Sequence, residues 1–353
     1  MRITLVSDAW MPQVNGVVRT LSTIVDLATA RGHRVQTITP DRFFSVPMPR
    51  YPEIRLALTT RRRVAATIAG FAPDAVHIAT EGPLGWLARS WCIARKVPFT
   101  TSFHTRFPDY IAARTGLSPA PFWRLLERFH RPAQHILVAT PRLAEELAQH
   151  GLHNTRAWTR GVDLALFAPG KAPHPLFAEL PRPIALHVGR VAVEKNIEAF
   201  LAASWPGSKV VVGDGPALDA LQARFPDAHF LGSLHGEALA STYVGADITV
   251  FASRTDTFGL VIIESLACGT PVGGYPVPGP LDILGIDGCG TDGGDRGRVG
   301  GVADDLAAAM HQALAADRDA AARYGALFSW ERSCDQFLAA LAEVDLPVAD
   351  MAA

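Results

Sequence analysis

Short apolar runs of four or five residues, each followed by a stretch of helical periodicity, recur along this chain, and the series starts twice. Ile3–Val6 opens it, Val17–Ala30 carries helical spacing, and Gly32-His33-Arg34 breaks the chain before Val35–Ile38. Ala75–Ile78, Pro98–Ser102 and His135–Ala139 follow, with helical stretches between them. After a Pro-rich stretch (Pro169, Pro173, Pro175, Pro181, Pro183) the pattern restarts with Ile184–Val188, Lys209–Val212, His229–Leu231 and Asp247–Phe251. Alternation of this kind builds βαβ units and parallel sheets. The expectation is an α/β chain of two Rossmann-like domains, 1–167 and 168–329, with a helix over about 330–345 returning to the first. Eight glycines in 285–301 predict a mobile loop.

With 353 residues the chain is long enough for two cores. Its 19% charged and 48% apolar residues are those of a globular protein. The opening Met-Arg-Ile-Thr-Leu-Val-Ser-Asp turns polar too soon for a signal peptide, and no run reaches the ~18 apolar residues of a membrane span. Cys92, Cys268, Cys289 and Cys334 are scattered, with neither zinc nor disulfide spacing, so a cytoplasmic protein is expected. The net charge of −1 hides a split: 1–167 holds 21 Lys/Arg against 11 Asp/Glu, and the remainder holds 12 against 23. Either the first half meets an anionic partner, or the two halves attract each other.

Parallel sheets bind ligands at the carboxyl ends of their strands, so two in tandem would put donor and acceptor on opposite walls of one cleft. The segment Ser253–Val272 has the chemistry for a donor. Gly259 allows close backbone approach, and a helix from about Leu260 exposes N–H groups suited to a diphosphate. Asp256 before that helix and Glu264 within it can serve a sugar and a ribose, although Asp256 alone also reads as a cap. A carboxylate among Val261, Ile262, Ile263 and Leu266 requires a partner. On the loop after Ile184–Val188, Arg190 and Lys195 can clamp phosphates. In the first half, Gly16 of Asn15-Gly16-Val17 could admit a phosphate to the backbone, and His104 of Ser102-Phe103-His104-Thr105 ends a strand.

Ser253–Val272, Gly189–Lys195, Val212–Pro216 and Arg160–Asp163 together resemble glycosyltransferase family 4, whose members are retaining enzymes of the GT-B fold. Asn15–Val17 and Ser102–Thr105 resemble its lipid-glycosylating branch, the phosphatidylinositol mannosyltransferases and the sulfoquinovosyl- and glucuronosyl-diacylglycerol synthases. The resemblance implies a nucleotide-sugar donor (GDP-mannose or a UDP-sugar), a lipid acceptor and no nucleic-acid partner. It also implies roles. Arg190 and Lys195 hold the diphosphate, and Gly16 touches it. Glu264 holds the ribose, Asp256 with Phe258, Gly259 and Leu260 holds the sugar, and His104 contacts the sugar from the acceptor side. The loop carrying Leu234 reads the base. Asp256 departs from the family's usual Glu, which leaves a catalytically impaired nucleotide-sugar-binding or regulatory module as one alternative; transfer to a soluble or polysaccharide acceptor is the other.

Neither a cofactor nor a metal is expected. The one Asp-x-Asp spacing, Asp317-Arg318-Asp319, lies in an Ala-rich stretch and reads as a solvated face. No Gly-x-Gly-x-x-Gly follows the first strand, which disfavours a nicotinamide enzyme. A phosphorylase would need a cofactor lysine from Lys96, Lys171, Lys195 and Lys209. Pro121–Arg131 puts Phe122, Leu125, Leu126 and Phe129 on one stripe and Arg124, Arg128 and Arg131 on another. With Arg61-Arg62-Arg63 and Arg42-Phe43-Phe44, this suits peripheral binding to an anionic membrane face.

Overall fold

The structure, a computed structural model, describes residues 1–13, 15–48, 51–104, 118–256 and 258–342. Thr105 and Thr257 of the segments above, and the end of the 330–345 helix, lie outside them. The chain divides into two compact units. One is Met1–Arg160 together with the chain from Trp330 onward, and the other is Gly161–Ser329. The change of unit comes before residue 168 because the intervening segment is tied into the second unit. The Val162 N–H donates to the Phe328 carbonyl at 2.8 Å, Val162 bridges Ser329, and the Phe167 ring meets Tyr243 edge-on at 5.8 Å.

In the first unit, β1 (Arg2–Val6) and β2 (Arg34–Ile38) pair in parallel. A separate antiparallel hairpin, β3 (Ser45–Met48) and β4 (Tyr51–Ala57), follows. β5 (Ala75–Ile78), β6 (Thr100–Phe103), β7 (His135–Val138) and β8 (Thr155–Ala157) complete a parallel sheet of order β2-β1-β5-β6-β7-β8. Every residue of β5 and β6 is buried, as befits strands covered on both faces. His77 satisfies its nitrogens inside the sheet, on Thr100 Oγ1 and Ser102 Oγ, each at 2.8 Å. Helix Trp330–Ala340 completes one core: Cys334 and Phe337 pack with Ile3, Leu5, Leu21 and Trp158.

Helix Ala120–His130 turns its face differently from the expected stripe. Trp123, Leu126, Phe129 and His130 are buried, whereas Leu125 is 50% exposed. Trp123 takes the inward position because it fills a slot between Phe103 and the His150 ring, stacked on the latter at 3.9 Å. Arg124, Leu125 and Arg128 are left outside. No helix among the described residues is long and apolar enough to cross a membrane.

The second unit has β9 (Ala185–Val188), β10 (Lys209–Val212), β11 (His229–Phe230), β12 (Ile248–Phe251), β13 (Val272–Gly274) and β14 (Gly300–Val302). They form a parallel sheet of order β11-β10-β9-β12-β13-β14, so the order reverses between β9 and β12. The glycine-rich segment is not simply a loop. Gly300 and Gly301 are buried in β14, where a Cβ on Gly301 would lie 2.3 Å from the Ala309 carbonyl oxygen of helix Leu306–Leu314. Before it, the Tyr324 hydroxyl accepts from the Thr291 N–H at 3.1 Å and donates to the Ile283 carbonyl at 2.6 Å. Asp317 of the Asp-x-Asp spacing caps helix Arg318–Gly325, accepting from the Asp319 and Ala320 N–H groups.

Candidate active site

The reversal between β9 and β12 is the place where a sheet of this kind opens a crevice for a ligand. Both strands end there in the segments that the sequence singles out. After β9 the chain passes Gly189 and Arg190 to the single turn Val193–Lys195. After β12 it passes Ser253 and Asp256 to Gly259 and helix Leu260–Ala267. Lys195 Nζ donates to both Asp256 oxygens, at 2.8 and 2.7 Å, and thereby joins the two segments. Asn196, at φ 54°, donates from its amide to the Ala252 carbonyl at 3.2 Å and ties the same segments behind them. Neither Lys195 nor Asp256 is deeply buried, with side chains 27% and 29% exposed. An ion pair so placed contributes about 0–1 kcal/mol to stability, so the fold does not depend on it.

Gly259 sits at φ 89°, where a Cβ would press to 2.7 Å from the Phe251 ring. It accepts the Ile262 N–H at 3.0 Å and leaves the start of the helix, from Leu260, without a side-chain cap. Phe258 is buried against Phe328. Behind the first loop, a Cβ on Gly213 would lie 1.8 Å from the Gly189 oxygen, and one on Gly215 would lie 2.4 Å from the Val191 oxygen. The two loops can therefore lie backbone to backbone only because both positions are glycine.

Glu264 is buried and accepts the Tyr243 hydroxyl at 3.0 Å, which supplies the partner that its apolar neighbours demanded. Arg190 is exposed and Leu234 half-buried on the loop after β11. Neither touches the Lys195–Asp256 pair among the contacts of the described residues. Beneath the site lies a residue with no sequence signal. His187 of β9 donates from Nδ1 to the Val250 carbonyl at 3.1 Å, and its Nε2 is buried with no partner among the described residues. Burial pushes its pKa down to about 4.

In the first unit, Gly16 opens helix Gly16–Ala30, whose Val17 and Val18 N–H groups are taken by the Asn15 side chain. His104 ends β6 and is buried; its Nδ1 accepts from Arg160 at 2.9 Å. A nitrogen accepting from a guanidinium carries no proton, so the ring is neutral with its hydrogen on Nε2. Burial first, and then the Arg160 charge, hold its pKa well below the usual value. Arg160 itself donates to the Trp158 carbonyl and lies over the Trp158 ring. Sequence reading reached Arg160 only as part of a motif, and missed Asp8 altogether. Asp8 follows β1 and accepts from the Leu84 and Gly85 N–H groups, 2.8 and 3.2 Å, at the start of helix Pro83–Arg95. Burial pushes it up to about 6. No group of three or more His, Cys, Asp or Glu that could hold a metal ion occurs among the described residues.

Residues 14–166 match the family described as Glycosyltransferase Family 4, and residues 182–316 match Glycosyl transferases group 1. A "GDP-mannose-dependent alpha-mannosyltransferase" of Mycolicibacterium smegmatis is 30% identical, over 96% of this chain and 96% of its own. An "Alpha-monoglucosyldiacylglycerol synthase" of Streptococcus pneumoniae is 27% identical over 77% of this chain and 70% of its own. Among solved structures, a sucrose-phosphate synthase from Thermosynechococcus elongatus superposes with a TM-score of 0.72 at 23% identity, covering 96% of this chain and 97% of that one. At that identity the likeness speaks for the two-unit fold alone.

Proposed function

The chain belongs to glycosyltransferase family 4, and from that premise we propose that it moves a mannosyl group from GDP-mannose to a hydroxyl of a membrane lipid, with retention and without a metal ion. That it is a hexosyltransferase of GT-B fold using a nucleotide sugar follows from the membership itself. The finer reading draws support from the named donor of the M. smegmatis relative and the named lipid product of the S. pneumoniae one. The observation that carries it is the Lys195–Asp256 couple at the strand reversal, beside a helix start opened by glycine.

In this reading the couple spans the bond that breaks. Asp256 takes sugar hydroxyls, and Lys195 with Arg190 takes the diphosphate, whose charge also faces the start of the Leu260 helix. Glu264 holds the ribose, and His104 offers its Nε2–H to the sugar. The lipid hydroxyl attacks the anomeric carbon from the face that the diphosphate leaves. As that bond forms, the carbon–oxygen bond to the diphosphate breaks, and the hydroxyl proton passes to a diphosphate oxygen. The enzyme works peripherally on the inner face of the cytoplasmic membrane.

The test is a matrix of GDP-mannose and UDP-sugars against diacylglycerol and phosphatidylinositol, with and without EDTA, with product stereochemistry read by NMR. Turnover of GDP-mannose into an α-linked glycolipid, unchanged by EDTA, is expected. Turnover from UDP-sugars only would replace the donor. Loss of activity in EDTA, restored by a divalent ion, would overturn the metal-free mechanism. Flotation with anionic liposomes reads the membrane claim separately.

A further inference from the structure

We propose that Glu81 is the residue of the first unit that selects the acceptor: its carboxylate takes a hydroxyl beside the one that attacks, with His130 as its positioning residue. The acceptor class this requires has neighbouring hydroxyls, on a polyol headgroup or a sugar end, in place of a lipid with a single hydroxyl. The inference rests on the transfer reaction proposed above and is independent of its donor.

The first sheet also reverses its order, between β1 and β5, and so opens a crevice of its own at the carboxyl ends of those strands. Asp8 follows β1 there, and Thr80, Glu81 and Gly82 follow β5. The two loops lie against each other. The Asp8 N–H donates to Thr80 Oγ1 at 2.7 Å, the Thr80 hydroxyl donates back to the Asp8 carboxylate at 3.1 Å, and a Cβ on Gly82 would lie 2.3 Å from Asp8 Cγ. Asp8 spends its oxygens on this loop and on the Leu84 and Gly85 N–H groups. Those are groups that a helix start would otherwise turn toward an anion. With them taken, and with Asp8 itself adding like charge, this crevice does not suit a phosphate.

Glu81 is set differently. His130, fully buried at the end of helix Ala120–His130, brings Nε2 to Glu81 Oε1 at 3.0 Å and Nδ1 to Thr101 Oγ1 at 2.8 Å. A carboxylate only accepts, so the Nε2–H donates. A ring fixed at both nitrogens thus holds one oxygen of a carboxylate whose side chain is 26% exposed. The second oxygen makes no hydrogen bond among the described residues, and no Lys or Arg pairs with it there. Burying two ring nitrogens has a desolvation cost, and a carboxylate that served only as surface charge would need no such support. What the histidine fixes in the crevice is a hydrogen-bond acceptor without a cation, beside a second carboxylate. A neutral hydroxyl answers that arrangement, and its bond to a carboxylate is about twice as strong as one to a neutral acceptor.

The test measures transfer by the full chain to phosphatidylinositol and methyl α-mannoside, which carry neighbouring hydroxyls, and to diacylglycerol, which carries one. The parent is expected to prefer one of the first two, and which one assigns the hydroxyls to a lipid headgroup or to a sugar. Glu81→Gln is expected to raise the KM of that acceptor about tenfold, since a charged hydrogen bond becomes a neutral one, with kcat and the donor KM held within about twofold. His130→Gln, whose amide can still donate to Glu81, should stay near the parent. His130→Leu should match Glu81→Gln in KM, and the double variant should be no worse than either, because His130 acts through Glu81. If His130→Leu does not fold, the KM split of Glu81→Gln decides. Preference for diacylglycerol, an acceptor KM unmoved in Glu81→Gln, or additive losses in the double variant would overturn the proposal while the transfer reaction stands. No transfer to any hydroxyl from any donor would defeat the reaction proposed above, and this inference with it.

Discussion

Lys195 and Asp256 stand at the heart of the proposed chemistry, and their exposure decides what removing them should do. Since the pair contributes about 0–1 kcal/mol to folding, Lys195→Ala should leave the melting temperature nearly unchanged. It should lower kcat by about a hundredfold or more if the ammonium stabilises the leaving diphosphate. An unchanged kcat would remove Lys195 from the mechanism. His187 is expected to show itself in stability. Its folded pKa of about 4 lies below the ordinary 6.5, so the stabilisation from its neutral form is present above pH 6.5 and lost as pH falls toward 4. Between pH 7.5 and 5 this amounts to about 2 kcal/mol. Urea unfolding of His187→Gln should show a pH slope shallower than the parent's by that amount. Lys195 and Asp256 were legible because loop position and charge advertise them. His187, Arg160 and Asp8 were not, since each owes its character to neighbours more than 50 residues away.

At the scale of elements, glycine decides which segments could be read in advance. Most strands announced themselves as Val- and Ile-rich runs, whereas β13 and β14 did not, because they are built of Val-Gly-Gly and Gly-Gly-Val. Their glycines leave room for helix Leu306–Leu314 to lie on the sheet, and that is a property of packing which no run of residues displays. Gly213 makes the same point beside the active site. Gly213→Ala would drive a methyl into the Gly189 carbonyl at φ 143° and should cost about 3 kcal/mol. The displaced Gly189–Lys195 loop should raise KM for the donor more than it lowers kcat. Denaturation curves and donor saturation read the two effects, and an unaltered KM would mean the loop does not touch the donor. Helix Ala120–His130 shows the limit of pattern reading in another form. Leu126 and Phe129 of the stripe turn inward with Trp123, which fills an aromatic slot, and Leu125 stays outside beside Arg124 and Arg128.

At the scale of the molecule, the repetition of strand and helix told of two sheets, and one of the two units takes its residues from both ends of the described chain. Helix Trp330–Ala340 supplies Cys334 and Phe337 to the core around Ile3, Leu5 and Trp158. A chain ending at Ser329 should therefore lose the melting transition of the first unit and keep that of the second. Calorimetry of the truncated protein measures this, and two intact transitions would show the helix to be dispensable. The arrangement also sets an order of events during synthesis. The second unit, encoded in the middle, has all its residues before the first receives Trp330–Ala340. The first unit is thus the last to receive a complete core, since Cys334 and Phe337 join Ile3, Leu5 and Trp158 only at the end.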